Sequence, residues 1–143
     1  FVRQNRAMII RTLSSSDVDA AAELWHSAGL TRPWNPPASD LERALTGPSS
    51  TVLGCFDDQT LIGTVMAGHD GHRGWVYYLA VADHHRGNGV GKSLMASAED
   101  WLREQGAVKV QLMVRSTNQQ ATGFYDRLGY ENADVQVLAK WLR

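Results

Sequence analysis

Hydrophobic and polar positions change period several times along this chain, and each change marks an element. Over residues 108–115, Val108, Val110, Leu112 and Val114 alternate with Lys109, Gln111, Met113 and Arg115. That period of two predicts a strand with one face buried. Just upstream, Val90, Leu94, Ala98, Trp101 and Leu102 recur at helical spacing until Gly106, which predicts an amphipathic helix with a glycine stop. Residues 51–56 and 60–68 are β-rich apolar runs split by Asp57, Asp58 and Gln59, the pattern of an antiparallel hairpin. A second turn at 70–74 returns the chain into 75–81, where aromatic and branched residues predict a buried central strand.

The flanks follow the same logic. A first strand is expected near 8–13, followed by a helix that Ser16 and Asp19 begin as a weak capping box and Gly29 ends. Val18, Ala22 and Trp25 form its apolar face. Residues 30–37 hold three prolines and a tryptophan and predict a stiff irregular connection. Ser39 with Glu42 should cap a second helix that stops at Thr46, before Gly47 and Pro48. Residues 118–128 predict a last helix with Ala121, Phe124, Tyr125 and Leu128 on its apolar face, and a final strand or strand pair is expected over 130–142. The resulting order is an α/β (α+β) sandwich. Hairpins require antiparallel neighbours, whereas the strand-helix-strand unit favours parallel ones. One domain is expected over 8–143, with 1–7 a polar, patternless extension or expression remnant without function.

Composition narrows the function classes. With 143 residues, 43% of them hydrophobic, the chain has material for one core. A formal net charge of −1 lacks the basic excess that would point to nucleic acid or an anionic membrane. No apolar run approaches the ~18 residues of a membrane span, and a cytoplasmic protein is the default expectation. The single cysteine, Cys55, sits in an apolar run and reads as a core residue. No metal site is expected.

The chemistry concentrates in residues 86–93. Gly87, Gly89 and Gly91 join the strand at 75–81 to the start of a helix, flanked by Arg86, Lys92 and Ser93. A helix start leaves backbone N–H groups without partners and carries partial positive charge, so a diphosphate can accept several hydrogen bonds there. Glycine lets the phosphate approach the backbone, and the two cations add charge. Gly91-Lys92-Ser93 ends as a nucleotide-hydrolysing P-loop ends. That motif also needs a glycine at position 86, which is arginine, and a dinucleotide fingerprint needs one at 92, which is lysine.

Arg86-x-x-Gly89-x-Gly91, after Leu79-Ala80-Val81 and before an amphipathic helix, resembles the acetyl-CoA signature of the GNAT superfamily of N-acetyltransferases. Asn118, Ala121, Phe124-Tyr125 and Leu128-Gly129-Tyr130 resemble its second motif, and together the two span 75–130. Arg32-Pro33-Trp34-Asn35 and the segments 68–74 and 128–135 are similar to bacterial YpeA-type members. The resemblance implies a mixed, mainly antiparallel sheet of six to seven strands with a splayed central pair and about four helices. It also implies acetyl transfer from acetyl-CoA to a primary amine by direct attack in a ternary complex.

By the same resemblance Leu79, Ala80 and Val81 pair with pantetheine, and Arg86, Gly87, Asn88, Gly89, Val90, Gly91, Lys92 and Ser93 hold the diphosphate. Asn118 contacts the cofactor or caps its own helix. The Leu79 N–H polarises the thioester carbonyl, and Tyr125 protonates the leaving thiolate. Trp34 walls the acceptor pocket or pins its loop. Base candidates are Asp70 and His72, then Asp83, His84 and His85, with a water relay as the alternative. Ribosomal acetyltransferases of this type carry a glutamate where Met113 stands, which points away from that acceptor. The acceptor is expected to be a small-molecule amine, a peptide N-terminus or a lysine. Trp141 suits either a homodimer surface or a final core strand. The competing function is a non-catalytic acyl-CoA-binding or sensing module, which would have no need of the Tyr125 phenol.

Overall fold

A computed structural model describes residues 8–34 and 36–142; the extension expected at 1–7 lies outside them, as does Asn35. The chain forms two compact units, Phe1–Met113 and Val114–Arg143. In the first, strands β1 (Met8–Thr12), β2 (Ser50–Asp57), β3 (Thr60–His69), β4 (Gly74–Val81) and β5 (Val110–Leu112) make one sheet in sequential order. The first three pairings are antiparallel and β4–β5 is parallel, as a strand-helix-strand crossover requires. Helices α1 (Val18–Ser27), α2 (Pro37–Thr46) and α3 (Val90–Glu104) cover the sheet.

Strand alternation divides the core. On one face Trp25, Leu41, Val52, Phe56 and Ala80 form a buried cluster under α1 and α2. On the other, Leu94, Met95, Ala98 and Leu102 of α3 are buried. Two glycines let α3 approach closely. A Cβ at Gly63 would stand 2.8 Å from Leu94 Cδ1, and one at Gly74 would stand 2.9 Å from Leu102 Cδ1. Both contacts are closer than packed carbons tolerate.

Several expectations need correction. The sheet of the described residues has five strands, not six or seven, because no strand forms over 130–142. In that segment the Asn132 side chain accepts the Asp134 N–H at 2.8 Å, and Asp134 takes φ +55. This local turn interrupts the extended backbone a ladder needs. Val137, Leu138 and Leu142 are accordingly exposed. Strand β5 is only three residues long, and Val108, expected on its buried face, is 86% exposed. The pair that begins the first helical turn is Ser14 with Asp17, not Ser16 with Asp19: the Ser14 N–H donates to the Asp17 carboxylate at 2.9 Å. Helix α2 starts with Pro37 in its first turn, two residues before Ser39, because proline's fixed φ already suits that position.

The second unit holds α4 (Gln119–Arg127) and the segment that follows it. Tyr125 packs edge-on against Phe124 and Tyr130, with ring centroids 5.0 and 5.7 Å apart.

Candidate acyl-transfer site

After β4, a single 3₁₀ turn at Asp83–His85 carries the chain to Arg86. Gly87 and Gly89 both take φ +81, a left-handed conformation that L side chains resist and glycine adopts freely. Gly89 is the residue from which α3 departs, and no side chain caps that start. The first amide to find a helical carbonyl is that of Ser93, which donates to Gly89 O at 3.0 Å. The amides of 89–92 therefore precede the helical ladder, with the positive end of the helix dipole behind them. Arg86, Gly87, Asn88, Gly89, Lys92 and Ser93 are exposed, whereas Val90 is buried and anchors the helix to the sheet. Arg86 lies 3.4 Å from Asp83 and donates to Val81 O, so its guanidinium is held beside the loop. His85 approaches the Asp57 carboxylate at 3.3 Å, which fastens the 3₁₀ turn to the end of β2. These residues suit a diphosphate.

Strand β4 is bulged next to Leu79, the residue that the family resemblance assigns to the thioester. Thr64 opposes Ala80, but Met66 opposes Tyr77, so β4 holds one residue more than β3 across this interval. Tyr78 has φ +52, and Leu79 falls outside both ladder registers. A left-handed tyrosine costs roughly 1 to 3 kcal/mol and persists only where its surroundings hold it. They do so at three points. The phenol ring stacks on Trp25 at 3.8 Å with planes 5° apart. Its carbonyl accepts from Thr64 Oγ1 at 3.0 Å, and Thr64 in turn accepts from Trp25 Nε1 at 2.8 Å. The Tyr78 hydroxyl donates to Asp40 Oδ2 at 2.8 Å, and Arg43 engages the other oxygen of that carboxylate. Past the bulge β4 is one-sided, because β5 accompanies it only from Gly74 to Val76. A bulge on a strand flank that β5 does not accompany presents backbone groups of the kind an added pseudo-strand such as pantetheine pairs with.

Other expected site residues lie elsewhere. Asp70 and His72 occupy the β3–β4 turn, at the opposite end of β4 from Val81 and the glycine loop. Asp70 accepts the N–H groups of Arg73 and His72 at 2.7 and 2.8 Å, and these bonds hold its carboxyl below the usual range. That stabilised anion is a weakened base. His84 and Asp83 are exposed in the 3₁₀ turn. Trp34 is 57% exposed in the α1–α2 connection. In the second unit, Asn118 caps α4 by accepting the Ala121 N–H at 3.0 Å. Burial pushes the Tyr125 phenol up to about 12, so it stays protonated throughout the ordinary pH range. Cys55 is buried, and desolvation followed by the Asp57 charge raises its thiol, as befits a core residue and not a nucleophile. Among the described residues no group of three His, Cys, Asp or Glu side chains could hold a metal, and no helix is long and apolar enough to cross a membrane.

Sequence reasoning missed the Trp25–Thr64–Tyr78–Asp40 network. One signal was present: Thr64 is a polar residue in an otherwise apolar run, and it is fully buried.

A bulged strand, a left-handed glycine loop and an uncapped helix on a mixed sheet are features suited to holding an acyl thioester with a diphosphate tail. The profile of the acetyltransferase (GNAT) family matches residues 19–130, and the chain belongs to that family. Its fold recurs in solved structures. Aminoglycoside N-acetyltransferase AAC(6')-Iy in complex with CoA shares 18% identity at a TM-score of 0.85, over 99% of each chain. Ribosomal-protein-alanine N-acetyltransferase from Brucella melitensis biovar Abortus 2308 shares 23% at 0.76, over 94% of this chain and 99% of that one. The PaiA N-acetyltransferase of Thermoplasma acidophilum, in complex with coenzyme A, shares 22% at 0.76, over 91% of this chain and 93% of that one. Acetyl-CoA is accordingly the co-substrate of this family to which the loop and bulge are suited.

Proposed function

We propose that the protein transfers the acetyl group of acetyl-CoA to a primary amine by direct attack within a ternary complex. The observation that carries this reading is the conjunction of an uncapped helix start behind two left-handed glycines and a bulged, one-sided strand leading into it. Acetyl-CoA supplies the activated acetyl group. The amides of 89–92 with Arg86 and Lys92 bind its diphosphate, and Leu79, Ala80 and Val81 offer backbone partners to its pantetheine arm. The Leu79 N–H donates toward the acetyl oxygen as negative charge grows there. The amine nitrogen bonds to the acetyl carbon and the carbon–sulfur bond breaks. Tyr125, a protonated phenol, gives its proton to the departing sulfur and regains one as the acylated nitrogen loses its second proton through solvent. A water relay is favoured over Asp70 for removing the ammonium proton, because that carboxylate is committed to its own turn.

Two proteins of the same fold are named for an aminoglycoside and for a ribosomal-protein alanine, which supports an amino nitrogen as the acceptor class. The segments at 32–35, 68–74 and 128–135 support a YpeA-type member, and Trp34 is read as part of the acceptor wall. Time-dependent release of free thiol from acetyl-CoA with a mixed amine and peptide panel tests the proposal. Thiol release with at least one acceptor is expected. Binding without release for every acceptor would favour an acyl-CoA sensor.

A further inference from the structure

We infer that Asp40 and Tyr78 are positioning residues for acyl transfer: the α2 carboxylate, by holding the Tyr78 hydroxyl, keeps the β4 bulge in the form that frees Leu79 from the ladder. The inference deepens the acetyl-transfer reading, and its kinetic part rests on that reading.

Tyr78 stands in a conformation its own chemistry disfavours, with φ +52 in the middle of a strand. Ring, carbonyl and hydroxyl are each held by a different element: Trp25 of α1, Thr64 of β3 and Asp40 of α2. The Trp25 and Thr64 contacts are internally closed, since the indole N–H donates to Thr64 and Thr64 donates to the carbonyl. That pair fixes the backbone at position 78 from the side of the core. The hydroxyl contact differs. Asp40 is a charged acceptor with a side chain only 15% exposed, on a helix that otherwise meets the sheet through Leu41 and Ala44. A hydrogen bond to a carboxylate in such surroundings is among the stronger ones available to a phenol. Tyr78 also immediately precedes Leu79, so any change in its backbone angles redirects the next N–H.

The test uses the intact protein and two readouts. Tyr78→Phe deletes the hydroxyl and keeps the stacked ring; Asp40→Ala deletes the acceptor; Asp40→Asn keeps an acceptor oxygen. Amide hydrogen exchange of residues 77–81 is expected to speed up roughly tenfold in Tyr78→Phe and in Asp40→Ala, with exchange in β2 unchanged. The double variant should exchange no faster than either single one, and Asp40→Asn, which keeps a neutral acceptor oxygen, should fall between wild type and Asp40→Ala. Turnover should fall in parallel, roughly tenfold, while KM for acetyl-CoA stays within about twofold. Unchanged exchange at 77–81 in either single variant, or additive effects in the double, would overturn the tether. A fall confined to KM would overturn its role in aiming Leu79. If the wild-type protein turned over no acetyl-CoA, the acetyl-transfer reading would fail, and the exchange data would still decide whether Asp40 holds the bulge.

Discussion

Helix α3 departs from Gly89, which has φ +81 and no side chain able to reach the amides that follow, whereas α4 departs from Asn118, whose carboxamide oxygen accepts the Ala121 N–H at 3.0 Å. Both starts face the same problem of backbone donors without helical partners. At α4 the chain solves it from within. At α3 it leaves the donors open, surrounds them with Arg86 and Lys92, and anchors the helix through buried Val90. The open start thus leaves backbone donors available to an anion, while the closed one satisfies a donor within the chain.

The comparison can be broken at each end. The largest effect is expected from Gly89→Val. The space around a new Cβ is empty, so the penalty is purely one of backbone, and a branched side chain at φ +81 should displace the amides. Acetyl-CoA affinity measured by calorimetry should fall roughly thirtyfold, about 2 kcal/mol; a loss under threefold would mean that the open start is not the diphosphate site. Next, Tyr125→Phe should lower turnover at least about tenfold with acetyl-CoA affinity little changed, since only a proton donor is removed. Equal turnover in steady-state assays would remove Tyr125 from the mechanism.

Asn118→Ala should cost about 1 kcal/mol in urea unfolding, and Asn118→Asp should recover most of it, because either cap oxygen can accept the Ala121 N–H. A full loss in both variants would show that the carboxamide is needed for more than the cap. The last prediction concerns pH. Burial raises the Tyr125 phenol from 10.0 to about 12, so the folded state holds that proton more tightly than the unfolded chain. Its contribution to stability is intact below pH 10 and is lost as pH rises toward 12. The stability of wild type relative to Tyr125→Phe should therefore be level up to about pH 10 and decline above it, which paired denaturation curves would register.

Much of this contrast is legible in the amino-acid sequence. The β2–β3 hairpin, β4, the glycine loop and both helices after it follow from local patterns: alternation, helical spacing, turn residues and glycine stops. The bulge was not legible, because what fixes it is remote. Tyr78 is held by partners 14 and 38 residues away, and Trp25 and Thr64 are 39 apart. No window of sequence contains them together. The strand expected over 130–142 failed for the opposite, local reason: Asn132 and Asp134 form a turn that competes with a ladder.

The early parting of β5 from β4 also bears on how the protein keeps. A strand flank that lacks a neighbour on one side is a template for an extended peptide, including another copy of the same chain. A bound pantetheine arm would shield that border, so protein stored with its co-substrate should resist clumping longer than protein stored without it.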